Sequence, residues 1–279
     1  MLALKPLIAS AAQPPVDLRT ADSYAVLAGQ GVTNTGPTVI RGDLGTSPNP
    51  AVTGFPPGKV KGAVHKADAA ALQAKKDLTK AYNDAAGRTP VTTIGTQLGG
   101  KTLKPGVYDS NSGTFQITGA LTLDAQGDPN GVFIFQMAAT LVSASNSHVR
   151  LIGAAQPCNV FWQVGSSATL GTNSSFTGNI LALTSIQVQT NVTVQGRVLA
   201  RNASVTLDAD NITVATCSTS ATSTPPPTSQ VTPVPSGGVQ TGGGSTAGLQ
   251  DVALLVFGGA LLAAAAGTFA MRRRSMRHD

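Results

Sequence analysis

The sequence predicts a mainly β protein: a three-faced β-solenoid with one long α-helix packed along one face, followed by a C-terminal transmembrane helix. Three observations predict it. β-rich segments recur with a period of 18 to 20 residues. One run in every copy is apolar on both sides of its strand, and an alanine-striped helix upstream is available to cover it. Near the end of the chain, an uncharged apolar run is followed at once by arginines.

Residues 1–17 open with MLALKPLIASAAQ, which has one lysine, a short apolar stretch and an Ala-Ser-Ala-like site. This is expected to be the residual part of a signal segment. The region 18–217 is expected to be the folded domain. Within it, HKADAAALQAKKDLTKAYNDAA (65–86) is predicted as a helix stopped by Gly87. Ala67, Ala71, Ala74, Leu78, Ala81, Tyr82 and Ala85 fall at helical spacing and form one apolar stripe. Lys75, Lys76, Asp77, Lys80, Asn83 and Asp84 fall largely elsewhere. A stripe of alanines is shallow, so the helix can lie close to a flat sheet.

The repeats follow. NVFWQVGSSATLGTNSSFTG from Asn159, NILALTSIQVQTNVTVQG from Asn179 and RVLARNASVTLDADNITV from Arg197 start 20 and then 18 residues apart, and an earlier copy begins at Gly131. Three short β runs per copy fit one solenoid turn with three faces. The second and third runs alternate: Ile186 and Val188 point in while Gln187 and Gln189 point out, and Val192 and Val194 point in while Thr193 and Gln195 point out. The first run, as in VFIFQ (132–136) and ILAL (180–183), does not alternate and must be covered outside as well as inside.

After the repeats, 218–251 is rich in Ser, Thr, Pro and Gly and reads as a semi-extended linker. Residues 252–271, VALLVFGGALLAAAAGTFAM, match the ~20 apolar residues that cross a bilayer. The basic tail 272–279 places its own side in the cytoplasm and the rest of the chain outside. The expected location is therefore extracellular, anchored to the membrane or the cell wall by the C-terminus. Thr241-Gly242, a spacer, the apolar run and the basic tail also resemble a sortase sorting signal, although the usual Leu-Pro before x-Thr-Gly is absent.

Composition narrows the function. Charged residues are 11 % and the net charge is +6, but four arginines (Arg272, Arg273, Arg274 and Arg277) sit in the tail and no basic patch is interleaved with aromatics, which argues against nucleic acid. His65, His148 and His278 are scattered over helix, strand and tail, and the two cysteines lie in no CxxC or Cys/His cluster, so neither a metal site nor a catalytic triad is expected. Asp208 and Asp210 are the closest paired carboxylates in the repeats; they come without a general acid or a cleft-forming insertion. The expectation is a non-enzymatic protein without cofactors. Cys158 and Cys217 are an even pair in an exported chain, which favours a disulfide.

Several segments resemble the microbial ice-binding family of the discontinuous β-solenoid type: SYAVLAGQGVTNTGPTVIRGDLGTSP, AVTGFPPG, AYNDAAGRTP, LKPGVY, LTLDAQGDPNGVFIFQ and CNVFWQVGSSATLG. The resemblance runs from about Leu18 to Cys217. It implies a right-handed, roughly triangular solenoid with one helix alongside, whose first segment can sit beside its last. Coils stacked strictly in sequence order would hold Cys158 and Cys217 about three rungs apart, roughly 14 Å, so a bond requires a folded-back tail or a different coil order.

The resemblance also implies an ice crystal surface as the partner, bound by a flat, threonine-bearing face that follows the helix-covered one. Outward candidates on that second run are Thr114, Gln116, Thr118, Thr140, Val142, Ser167, Thr169, Gly171, Gln187, Gln189, Ser204 and Thr206, with Thr33 and Thr35 as the equivalents in the first coil. Gln187, Gln189 and Asp208 weaken the flatness. The rival face is the third run: Ser175, Thr177, Thr193, Gln195, Asn211 and Thr213, with His148 and Arg150 in the earlier copy. Threonine and serine suit any exposed strand, so the alternative is a surface adhesin or structural wall protein on the same scaffold. One covered face and two polar ones imply a monomer.

Overall fold

Equivalent strands of neighbouring coils pair in parallel and in register, which is what a strict repeat of short β runs demands. The computed structural model describes residues 13–218. Three ladders result. The first consists of Val91–Thr93, Gly106–Asp109, Phe133–Met137, Val160–Val164, the second halves of Ser175–Ala182 and Thr193–Ala200, then Tyr24–Ala28, Asp43–Thr46 and Val64–Lys66. The second runs through Phe115–Ile117, Leu141–Ser143, Ala168–Leu170, Ile186–Val188, Ser204–Asp208, Gly31–Thr35 and Val52–Thr53. The third includes Thr102–Leu103, Ala120–Asp124, His148–Ile152, the first halves of the two eight-residue strands, Asn211–Thr213, Val39–Arg41 and Lys59–Val60.

The coil order is discontinuous. The N-terminal strands Tyr24–Ala28, Gly31–Thr35 and Val39–Arg41 dock on the last repeat, not on the copy that follows them in sequence. The helix, Ala69–Ala86, then carries the chain from one end strand, Val64–Lys66, back to the other, Val91–Thr93. Its 18 residues span about 27 Å at ~1.5 Å each.

The helix starts later than the expected residue 65. Asp68 is its N-cap and accepts from the Ala71 amide at 2.8 Å, while residues 64–66 are drawn into a strand beside 44–46. Ala67, placed in the apolar stripe by its spacing, lies outside the helix with a positive φ. The rest of the stripe is buried as its spacing predicts: Ala71, Ala74, Leu78, Ala81, Tyr82 and Ala85.

Two apolar layers account for the double-sided first run. Phe133, Phe135, Val160, Trp162 and Val198 face the solenoid interior. Ile134, Phe161, Leu181 and Leu199 point the other way and pack under Leu78, Ala81 and Tyr82 of the helix. Two glycines let long strands turn the corner between the third and first ladders. Gly178 and Gly196 have φ of 115° and 156°, and a Cβ on Gly196 would meet the Gly178 carbonyl oxygen at 1.9 Å.

Cys158 and Cys217 are bonded, with Cα atoms 5.5 Å apart. The coils between them stack consecutively, so the tail supplies the reach: Val214 to Cys217 folds back across the corner, and four extended residues cover roughly 14 Å. Among the described residues no helix is long and apolar enough to cross a membrane. The apolar run 252–271, the linker, Thr241-Gly242 and most of the leader lie outside the described residues.

Candidate functional site

The second ladder is open to solvent. Its inward residues, Phe115, Leu141, Ala168, Ile186, Val205 and Val32, are at most 1 % exposed and fix the strands to the core. Pairing register aligns the outward residues into one central row: Gln116, Val142, Thr169, Gln187, Thr206, Thr33 and Thr53. Gln97 bridges onto Gln116 and ends that row. Because the first segment docks on the last repeat, Thr206, Thr33 and Thr53 become consecutive neighbours. Neighbouring strands lie ≈ 4.7–4.9 Å apart, so three threonines stand at a fixed interval. β-branching restricts χ1 and presents a methyl and a hydroxyl side by side.

A second row lies one pleat step upstream: Thr114, Thr140, Ser167, Ser185 and Ser204. Its hydroxyls hold one another across rungs, with Thr114 Oγ1 and Thr140 Oγ1 3.3 Å apart and Ser167 Oγ and Ser185 Oγ 2.9 Å apart. The downstream edge carries Thr118, Gln189, Asp208 and Thr35. Gln189 is less free than its length suggests, since its Oε1 accepts from the Thr172 amide at 3.2 Å. Asp208 accepts from Thr190 Oγ1 and is paired in register with Thr35. It is the only charged residue among the members of these rows. Beneath that edge, burial pushes the Asp210 carboxyl up to about 7, although the Val192 and Asp208 amides both donate to it.

The structure thus brings all fourteen sequence-selected residues onto one ladder, with one departure from the outward reading. Gly171 is buried, because a Cβ there would come within 2.5 Å of the Ala144 backbone, and it offers only main chain. Sequence reasoning missed Gln97, Thr53 and Ser185. Thr53 sits in a two-residue strand between Pro- and Gly-rich turns, too short to show alternation. Ser185 precedes the apolar Ile186 from which the run was counted; its serine at the step equivalent to Ser167 was the available signal.

The third ladder differs in character. Thr177, read as outward, is buried and donates to the Val149 carbonyl at 3.1 Å. Ser175, Thr193, Gln195 and Asn211 are exposed and Thr213 is half-buried, but the same ladder also exposes Arg150, Arg41 and Lys59. Two polar helix residues that fall off the apolar stripe are nevertheless drawn inward: Asp77 is buried and Lys75 half-buried. Lys75 Nζ donates to the Ala200 carbonyl at 2.5 Å and to the Arg201 carbonyl, and burial holds its amine down to about 7, with the Arg201 charge adding to the effect. Asp77 accepts from Gln73, Thr20 and Lys80, and these hydrogen bonds hold its carboxyl well below the usual range.

Comparison with known proteins places this geometry. Over 197 residues the chain is 50% identical to an ice-binding protein of Nostoc sp. (strain HG1), covering 70% of this chain and 72% of that one. The solved structure of an ice binding protein from an Antarctic biological consortium matches with a TM-score of 0.73 and 45% identity, covering 77% of this chain and 97% of that one. That of an ice-binding protein from the Antarctic ascomycete Antarctomyces psychrotrophicus matches with a TM-score of 0.70 and 43% identity, covering 72% and 99%. The family model described as ice-binding-like matches residues 26–213, essentially the whole stack of coils, and the chain belongs to that family.

Proposed function

We propose that this protein binds ice through the open ladder. The observation that carries the reading is the central row ending in Thr206, Thr33 and Thr53, held flat by buried partners and free of cations. A rigid, weakly hydrated lattice of methyls and hydroxyls orders surface water in a pattern that ice can continue, and the bound surface then opposes further growth. No bond is made or broken. The third ladder suits this role less, because Arg150, Arg41 and Lys59 hold water tightly.

The test uses residues 13–218 in recrystallisation and thermal-hysteresis assays. Ice grains should stay small and crystals should be faceted. Thr206→Tyr and Thr33→Tyr should each abolish the effect without unfolding the domain. Round crystals and coarsening grains with the unaltered domain at high concentration would leave only the adhesin or wall-protein reading.

The same reading extends to location and architecture. The coil is right-handed and triangular in section, works as a monomer, and is displayed outside the cell. The residues before Gln13 belong to an export signal and 252–271 to a membrane anchor, supported by the apolar run and its arginine stop; Val16 already packs in the cluster under the helix. Thr241-Gly242 offers wall attachment by sortase as the other route. Fractionation of cells making the full chain checks this: recovery in the soluble cytoplasm would refute display.

A further inference from the structure

The outward side of the first ladder is not apolar throughout. Val91, Val107, Ile134 and Phe161 align as one outward column. Two residues further along the same strands a second column begins with Thr93, paired with Asp109. Asp109 follows Tyr108, the partner of Phe135, and so stands beside Gln136, which is paired in turn with Gln163. The column becomes apolar at Leu181, the next partner of Gln163. A carboxylate and two amides therefore occupy three consecutive rungs of a face that elsewhere recruits the helix by apolar burial.

The two amides are tied down at their nitrogen ends. Gln136 Nε2 donates to the Ala85 carbonyl at 2.8 Å and to the Arg88 carbonyl at 3.0 Å, where the helix ends. Gln163 is 6 % exposed, and its Nε2 donates to the Tyr82 hydroxyl at 2.7 Å. These partners leave both amide oxygens as spare acceptors. Asp109 makes no side-chain hydrogen bond or ion pair among the described residues, and its Oδ1 is buried. A buried carboxylate oxygen without a partner is costly. All three side chains line a pocket of about 470 Å³ at the corner between the first and second ladders, together with Tyr82 and Ser110.

The spare groups are oxygens, one of them is charged, and the negative end of the helix dipole lies beside them. That set suits a hard cation. The rung spacing selects which one. Oxygens on neighbouring strands stand ≈ 4.7–4.9 Å apart, so an ion midway between two of them lies about 2.4 Å from each. Calcium takes oxygen ligands at ~2.3–2.6 Å, whereas magnesium demands ~2.0–2.1 Å and a near-ideal octahedron.

We propose that this pocket binds one calcium ion between Asp109 and Gln136, with the Gln163 amide oxygen reaching it through water. Among the described residues no three Asp, Glu, His or Cys side chains gather as a metal site, so the ligand set has one carboxylate. Few charged ligands place the affinity at roughly 10⁻⁴–10⁻³ M, the range of extracellular modules. Ser110, next to Asp109, donates to the Thr114 carbonyl at 2.7 Å, so the ion would brace the end of the open ladder.

The solved relatives consist almost wholly of the matched region, so residues 13–218 form a self-standing unit for the test. That domain, freed of metal with a chelator, is titrated calorimetrically with calcium chloride to about 20 mM in ~0.1 M sodium chloride, and melted with and without the ion. Calcium should bind once per chain, and ~10 mM should raise the melting midpoint by about 2–4 °C. Magnesium should shift it far less. Asp109→Asn should weaken calcium binding by about tenfold or more and erase the shift. In chelator it should melt as the unaltered domain does, because Asp109 has no protein partner to lose. Asp128→Asn, an exposed carboxylate on another loop, should bind as the unaltered domain does. No heat and no shift at 20 mM calcium, equal shifts with magnesium, or undiminished binding by Asp109→Asn would each overturn the proposal. The comparison of the two ions needs no variant, so it decides the matter even if Asp109→Asn fails to fold.

Discussion

The helix-covered ladder and the open ladder are made by the same coils, a few residues apart, yet they end in opposite surroundings. On the first, outward Ile134, Phe161, Leu181 and Leu199 are at most 1 % exposed beneath the helix. On the second, outward Gln116, Val142, Thr206 and Thr33 meet water. Backbone pairing is equivalent in both, so a single outward row decides whether a face recruits a helix or stays bare. Apolar burial at roughly 25 cal/mol per Å² supplies the force on one side. On the other side little area is hidden, and side-chain identity is left free to serve a partner.

The sharpest way to break this contrast is Phe161→Ala. Removing a ring packed between sheet and helix should cost about 3–5 kcal/mol, read as a lower urea midpoint. Thr169→Ala on the open row should stay within about 0.5 kcal/mol. Equal effects would mean that the helix does not seal its face.

Next in size is the Cys158→Ser, Cys217→Ser double variant. The two cysteines are separated by 59 residues, and losing their cross-link should destabilise the domain by about 2–4 kcal/mol. The open ladder lies away from the bond, so ice shaping by the folded fraction should persist.

A subtler test sets two ionisable groups shifted by burial, Asp210 and Lys75, against each other. Folded Asp210 retains its proton up to about 7, whereas an unfolded carboxyl loses it near pH ~4, so stability should fall as pH rises between those values. Folded Lys75 is neutral above about 7, whereas the unfolded amine stays protonated to roughly 10.4, so stability should climb across that span. Thermal melts should therefore show a shallow trough near neutrality. Asp210→Asn should flatten its acid limb and Lys75→Met its alkaline limb; a single maximum at pH 7 would contradict both assignments.

The smallest expected effect is that of Thr193→Tyr on the third ladder, which should alter neither ice shaping nor stability. Loss of activity there would move the site to that ladder.

Much of this was legible in the sequence because local rules produce it. The alternation around Ile186 and Val188, the unbroken VFIFQ run and the alanine stripe each report a strand or helix face within a few residues. What stayed hidden depends on long-range geometry. No local feature of GVTNT says that Thr33 will lie beside Thr206, yet that docking creates the run of three threonines. The partners of Lys75 and Asp77 were hidden because helical spacing shows which way a side chain points, but not which carbonyls or hydroxyls wait for it. The helix start was misjudged for a similar reason: a partner strand claimed residues that alone would prefer a helix.

The folded-back tail has a mechanical consequence. A pull transmitted from the C-terminal side of Cys217 reaches the stack at Cys158, in the middle coils, before it can bear on Asn211–Thr213. Load is thus delivered to the coil that begins at Cys158 instead of prising Asn211–Thr213 from the strands on either side of it. A domain gripping a solid through one wall and held by a tether at the opposite corner would resist unzipping, and reduction of that one bond would convert shear into peel.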